Sequence, residues 1–158
     1  MEKKRIAVIR LKGEANVRPS VRETFKLLRL YKKQTCILIP NTPEYIGMLA
    51  VVKDFVTWGE VDEETVKQLL VRRGRVARKK PLTEVYVKEQ IKIDIASFVK
   101  EYMAFKKELK DIPGLKLFFG LAPPRQGLEQ KGVKADFSMG GSLGYRKNHI
   151  NALVQRML

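Results

Sequence analysis

An α+β domain is what this 158-residue sequence predicts, and three observations carry that expectation. Two short, continuously apolar runs, RIAVIRL at 5–11 and TCILIP at 35–40, read as buried strands. They are followed by segments with helix-start residues and apolar positions at three- and four-residue steps. The length and the 44% apolar content suit one compact domain, or a small domain with an extension, and exclude a multidomain enzyme.

The elements follow in order. Ile6 and Val8 share one side of the first strand and Ala7, Ile9 and Leu11 the other, so both faces are covered and the strand is central. Pro19, with the capping-box pair Ser20 and Glu23, opens a helix that turns Val21, Phe25 and Leu28 inward and Arg22, Lys26 and Arg29 outward. TCILIP ends at a proline, which closes a second buried strand and makes Cys36 a small core residue. Thr42 before Pro43 pairs a hydroxyl cap with proline at the first helical position, and Tyr45, Met48, Leu49 and Val52 form the apolar stripe of that helix. Gly47 in its interior costs about 1 kcal/mol against alanine, which asks for something packed or bound closely there. FVTWGEV at 55–61 is a third strand. Asp62 then caps a helix running to about Arg73, with Val66, Leu69 and Leu70 inside and Gly74 as its stop. Beyond a basic loop at 72–80, residues 94–110 form an amphipathic helix with Ile95, Phe98, Tyr102, Phe105 and Leu109 inside. Residues 114–121 are a strand or an extended docking segment. Residues 122–148 are glycine-rich and lack periodicity, so they form a long loop that needs more than its own core to order it. A short helix with Ile150, Leu153, Val154 and Met157 on one face closes the chain.

Charge narrows the function. Thirty-two basic residues against 17 acidic give a formal charge of +15, an imbalance that points to a polyanionic partner, most simply nucleic acid. The excess is divided: residues 1–35 carry +8, residues 36–71 carry −4, the segment RRGRVARKK at 72–80 holds six cations and no acid, and residues 121–158 carry +4. Separate basic regions around a neutral or acidic body describe a folded domain that presents several loops to a polyanion. One His and one Cys leave no material for a disulfide framework or a zinc ribbon. No apolar run has the length of a signal peptide or approaches a membrane span, so a soluble intracellular protein without a membrane or small-molecule partner is expected.

Catalytic constellations are weak. His149 stands among Arg146 and Lys147 with no third orienting group, which favours a solvent- or phosphate-facing histidine over a general base. Gly127 and Gly132 have the outer spacing of a phosphate-binding loop, but Val133 occupies the lysine position. Asp62, Glu63 and Glu64 complement a helix N-terminus. No catalytic residue, metal site or cofactor is expected. Phosphate contact is instead assigned to Arg72, Arg73, Arg75, Arg78, Lys79 and Lys80, because each neutralised phosphate releases counterions. Tyr145, Arg146 and Lys147 repeat the theme, with a ring able to stack on a base and with Gly140, Gly141 and Gly144 allowing close backbone approach. Arg125, Lys131 and His149 complete the set.

At IPNTPEYIGMLAVVKDFVTWGEV, residues 39–61, the sequence resembles the L-thirty family of large-subunit ribosomal proteins, called L-seven in eukaryotes. Thr42, Pro43, Gly47, Met48, Trp58, Gly59 and Glu60 carry the resemblance. The opening strand, basic helix and second strand also look like this family, and GGSLGYRKNHINALVQRM is similar to the C-terminus of its long archaeal and eukaryotic members. The resemblance implies a ferredoxin-like βαβαβ core with a three-stranded sheet over residues 1–61. It implies a helical and extended C-terminal extension, residues 62–158, packed on that core. It further implies an architectural role on large-subunit rRNA in the cytoplasm, with 5S rRNA and neighbouring ribosomal proteins as partners. By position, the family's RNA-facing surface falls on Arg10, Lys12, Arg18 and Arg22. The rival readings are a transient assembly factor on precursor rRNA, then a DNA-compacting protein.

Overall fold

The computed structural model describes residues 2–13, 15–77 and 80–158. β1 (Arg5–Arg10), α1 (Pro19–Leu27), β2 (Thr35–Pro40), α2 (Pro43–Val52) and β3 (Val56–Glu60) follow one another as the sequence predicts. β1 lies between β2 and β3 and is antiparallel to both, with Val8 opposite Ile37 on one side and Trp58 on the other. This is the ferredoxin-like βαβαβ core. All six β1 residues are buried because the sheet is covered on both faces. Ile6, Val8, Ile37 and Ile39 pack with Phe25, Leu49 and Val52 of α1 and α2. Ala7, Ile9, Cys36 and Leu38 pack instead with Val66, Leu70, Phe98 and Leu153 from the later helices.

The sheet has five strands where three were expected. β6 (Phe119–Gly120) adds antiparallel to β2, and β7 (Gly144–Tyr145) adds parallel to β3, giving the order β6-β2-β1-β3-β7. Each added strand is two residues long, too short to show a hydrophobic alternation in sequence.

Helix starts divide into two kinds. Asp62 caps α3 (Glu63–Arg73) by accepting a hydrogen bond from the Thr65 amide at 2.8 Å. The expected hydroxyl caps of α1 and α2 do not form: Ser20 lies inside α1 behind Arg18 and Pro19, and the Thr42 side chain makes no capping bond. In both helices proline at the first position sets the starting φ instead.

The segment 72–80 is not a plain loop. Arg72 and Arg73 end α3, and β4 (Arg75–Val76) pairs with β5 (Lys80–Pro81) as a short hairpin. An additional helix, α4 (Glu84–Ile91), follows, with the Thr83 hydroxyl accepting from the Tyr86 amide at 3.2 Å. α5 (Ile95–Met103) stops seven residues before the expected end, and Phe105 takes φ +62°. Arg5 explains the break. Its buried guanidinium lies 3.9 Å from the Tyr102 ring centroid and 4.0 Å from that of Phe105. It donates to the carbonyls of Tyr102 and Lys107 and to the Glu108 carboxylate. A buried cation needs such partners, and the chain turns after Met103 to supply them. Leu109 stays buried, in a single 3₁₀ turn.

Residues 122–148 carry backbone pairing of their own. Ser142 N donates to Gly132 O and Gly141 N to Asp136 O, both at 2.8 Å, and the segment is tied to α6 (Ile150–Met157) by Ala122 N to Met157 O at 3.0 Å. Backbone pairing of this sort leaves no periodic signature in the side chains.

Candidate nucleic-acid interface

The cations divide into buried builders and exposed contacts. Arg10 is fully buried, with Nε donating to Lys12 O at 2.9 Å, Nη1 to Leu30 O at 2.7 Å and the guanidinium 3.9 Å from the Phe25 centroid. Arg146 is buried too. Its Nε donates to Thr57 Oγ1 at 2.7 Å, Nη2 to Ser142 O at 2.7 Å and Nη1 to Glu129 at 2.8 Å. Burial pulls its pKa down, while the Glu129 hydrogen bond and charge push it back up. Both arginines therefore hold the fold together, which corrects their assignment as surface contacts: neither guanidinium faces solvent.

The glycines near the C-terminus are likewise turned inward. A Cβ on Gly141 would fall 2.0 Å from Ala135 O, so the bare backbone serves a contact within the chain. Gly144 is buried in β7. Gly140 alone of the three is exposed, in a left-handed turn at φ +88°. The pair Trp58 and Gly59 receives this segment: Arg146 N donates to Trp58 O at 2.9 Å, and a Cβ on Gly59 would lie 1.8 Å from Lys147 O. Glu60 accepts a hydrogen bond from the Tyr145 hydroxyl, and burial with that bond pushes the phenol up to about 12. Tyr145 still exposes 45% of its surface.

What remains outside is a set of separate basic surfaces. Arg18, Arg22 and Lys26 are exposed along one outer stripe of α1 and its N-cap, Arg29 is exposed in the turn that follows, and Lys12 is half-buried with its ammonium 5.9 Å from the Phe55 ring. Arg72 and Lys80 are exposed and Arg73 and Arg75 half-buried around the β4–β5 hairpin, whereas Arg78 and Lys79 lie outside the described residues. Arg125, Lys131, Lys147 and His149 are exposed along the extension, with the His149 ring tilted against Phe137 at 5.3 Å between centroids. Thr42 and Pro43 start α2, Met48 is half-buried, and Gly47 is exposed with nothing within 4 Å of an added Cβ. The close packing expected at Gly47 is therefore absent from the chain itself. The turn after α1 escaped the sequence reading as a candidate contact, although Tyr31, Lys32 and Lys33 are exposed there.

Exposed cations in several patches, with buried arginines as braces, define a class, a basic α+β domain. The chain belongs to the L30p/L7e family of ribosomal proteins. The family model described as ribosomal protein L30p/L7e matches residues 6–56, the span of the first two strands and their helices. Over nearly its whole length the chain is similar to the large ribosomal subunit protein uL30 of Methanopyrus kandleri, at 44% identity over 149 residues that cover 94% of this chain and 100% of that protein. The uL30 of Archaeoglobus fulgidus is 44% identical over 152 residues, covering 96% and 98%, and that of Methanococcus vannielii 41% identical over the same shares.

Proposed function

We propose that this chain is a structural constituent of the large ribosomal subunit that binds and stabilises folded rRNA, at the ribosome in the cytoplasm. The observation that carries this reading is the near-full-length similarity to proteins named for that subunit, at 41–44% identity. Its chemistry is phosphate neutralisation, architectural and without turnover. A duplex or folded RNA presents dense fixed charge, and a chain of +15 releases counterions on meeting it. Lys12, Arg18, Arg22, Arg72, Arg73, Arg75, Lys80, Arg125, Lys131, Lys147 and His149 are the side chains that remain available to it, with Tyr145 and the Gly140 backbone beside them. Arg78 and Lys79 join this set on sequence alone.

The division into a core, residues 1–61, and an extension, residues 62–158, belongs to the same reading and is supported by the end of the family match at residue 56. Neighbouring ribosomal proteins and, more finely, 5S rRNA are its partners in this reading, and recovery of 5S rRNA crosslinked to the protein in irradiated subunits tests that finer claim.

Sedimentation of a lysate through sucrose at moderate and high salt tests the whole. Stoichiometric presence in mature subunits and translating ribosomes that survives high salt is the expected result. Presence in precursor particles alone would replace it with an assembly factor.

A further inference from the structure

The turn between α1 and β2 has a construction that phosphate neutralisation does not explain. α1 ends in a pair of nested backbone bonds, Arg29 N to Lys26 O at 3.1 Å and Leu30 N to Phe25 O at 2.9 Å. That motif places its second-to-last residue in the left-handed region, where glycine is usual. Arginine stands there instead, at φ +62°, and Gln34 at the far end of the turn repeats the value. A side chain in this region costs about 1 kcal/mol or more against glycine, so the turn accepts strain at both ends. Leu30 is fully buried and anchors the turn, and the next residue, Tyr31, is thrown outward with 50% of its surface exposed.

Tyr31 is held from one side. Its ring meets Phe118 edge to face, with centroids 5.5 Å apart and planes at 83°, and the Lys116 ammonium lies 5.9 Å from the Phe118 centroid. The ring is thus fixed in place without being covered. Arg29, Lys32 and Lys33, its near neighbours in the chain, are exposed, and neither RLYKK at 29–33 nor KLF at 116–118 contains an acid. An exposed aromatic ring braced on one side and set in a basic stretch of chain is a combination that takes an unpaired base on its face and the flanking phosphates beside it. A base within a duplex hides its face in the stack, so a duplex uses the cations alone.

We propose that Tyr31, backed by Phe118 and flanked by Arg29, Lys32, Lys33 and Lys116, is a stacking platform for an unpaired nucleotide of RNA. The inference rests on the rRNA-binding reading and adds the kind of RNA element the site takes.

The test uses the full chain with two fluorescent probes, a single-stranded oligoadenylate dodecamer and an RNA duplex of the same length, read by anisotropy across a salt series. Tyr31→Ala is expected to weaken single-strand binding about tenfold, the loss of one base–aromatic stack, with the salt dependence unchanged and duplex binding intact. Tyr31→Phe keeps wild-type binding. Lys32→Ala and Lys33→Ala each lower the single-strand salt slope by about 0.7. Thermal unfolding by circular dichroism confirms that each variant is folded. Wild-type protein that binds both probes while Tyr31→Ala changes neither, or weakens both alike, overturns the platform and leaves the rRNA reading standing. Wild-type protein that binds neither probe overturns the rRNA reading, and the platform with it.

Discussion

The guanidinium of Arg146 meets the carboxylate of Glu129 at 2.8 Å while its Nε binds the Thr57 hydroxyl at 2.7 Å, so one buried cation joins the glycine-rich segment to the edge of the core sheet. Burial pushes the Glu129 carboxyl up, but hydrogen bonds from Ser142 and Arg146 outweigh it and hold its pKa below the ordinary 4.5. A group depressed in the folded state contributes its full stability above the ordinary value and loses it as the pH falls through the folded one. Glu129→Ala is therefore expected to cost about 2 kcal/mol at pH 7, less than is usual for a fully buried pair because Glu129 is partly exposed. The difference from wild type narrows as the pH is taken well below 4.5. Thermal unfolding at both pH values checks this, and a gap that stays constant on acidification would count against it.

Two glycines of the family signature should respond in opposite directions. Gly59→Ala drives a methyl into the Lys147 carbonyl, 1.8 Å away, and is expected to cost about 3 kcal/mol. Gly47→Ala meets nothing within 4 Å inside a helix, and is expected to raise stability by about 1 kcal/mol. Urea midpoints of the two variants decide the point.

Arginines of the basic N-terminal region separate by burial. Arg10→Ala orphans the carbonyls of Lys12 and Leu30 and empties the space over Phe25, with an expected loss of about 3 kcal/mol. Arg18→Ala and Arg22→Ala, both at exposed positions, are expected to leave stability within about 0.5 kcal/mol of wild type. If they contact RNA as proposed, each is expected to weaken RNA binding and lower its salt slope by about 0.7–0.9. Paired melting and binding measurements would expose an error in either half.

Cys36 is the only thiol, fully buried, and burial pushes its pKa up to about 12. Folded protein at pH 8 should resist iodoacetamide and become labelled on unfolding in urea, because the thiolate is the reactive form. Mass spectrometry of the treated protein reads the outcome directly.

The core was legible because its strands and helices follow hydrophobic periods. Ile6, Val8, Phe25, Leu49 and Val52 lie inside as their spacing requires. Beyond Glu60 the stripes of α3 and α6 follow the same period and lie inside, but the features that departed from expectation have no periodic signal. α5 ends where Arg5, some hundred residues earlier in the chain, claims the carbonyls of Tyr102 and Lys107. Gly141, read as an opening toward RNA, is filled by the backbone of Ala135. Charge counts identified the basic regions but not which cations reach the surface, since Arg10 and Arg18 are equal in a sum and opposite in burial. α4 escaped the sequence reading although Thr83 was present as a cap.

The parallel pairing of β7 with β3 joins Thr57 to Gly144 across 87 residues. A two-residue strand adds few contacts to offset the entropy of closing so long a loop, so this edge should assemble after the local βαβαβ pairings and open before them. During synthesis the three central strands can therefore condense while the C-terminal segment is still being made, and the last edge seals a sheet that already exists. Native-state hydrogen exchange would display that history as a gradient, with the amides of Val8 and Ile37 outlasting that of Arg146, which bonds to Trp58.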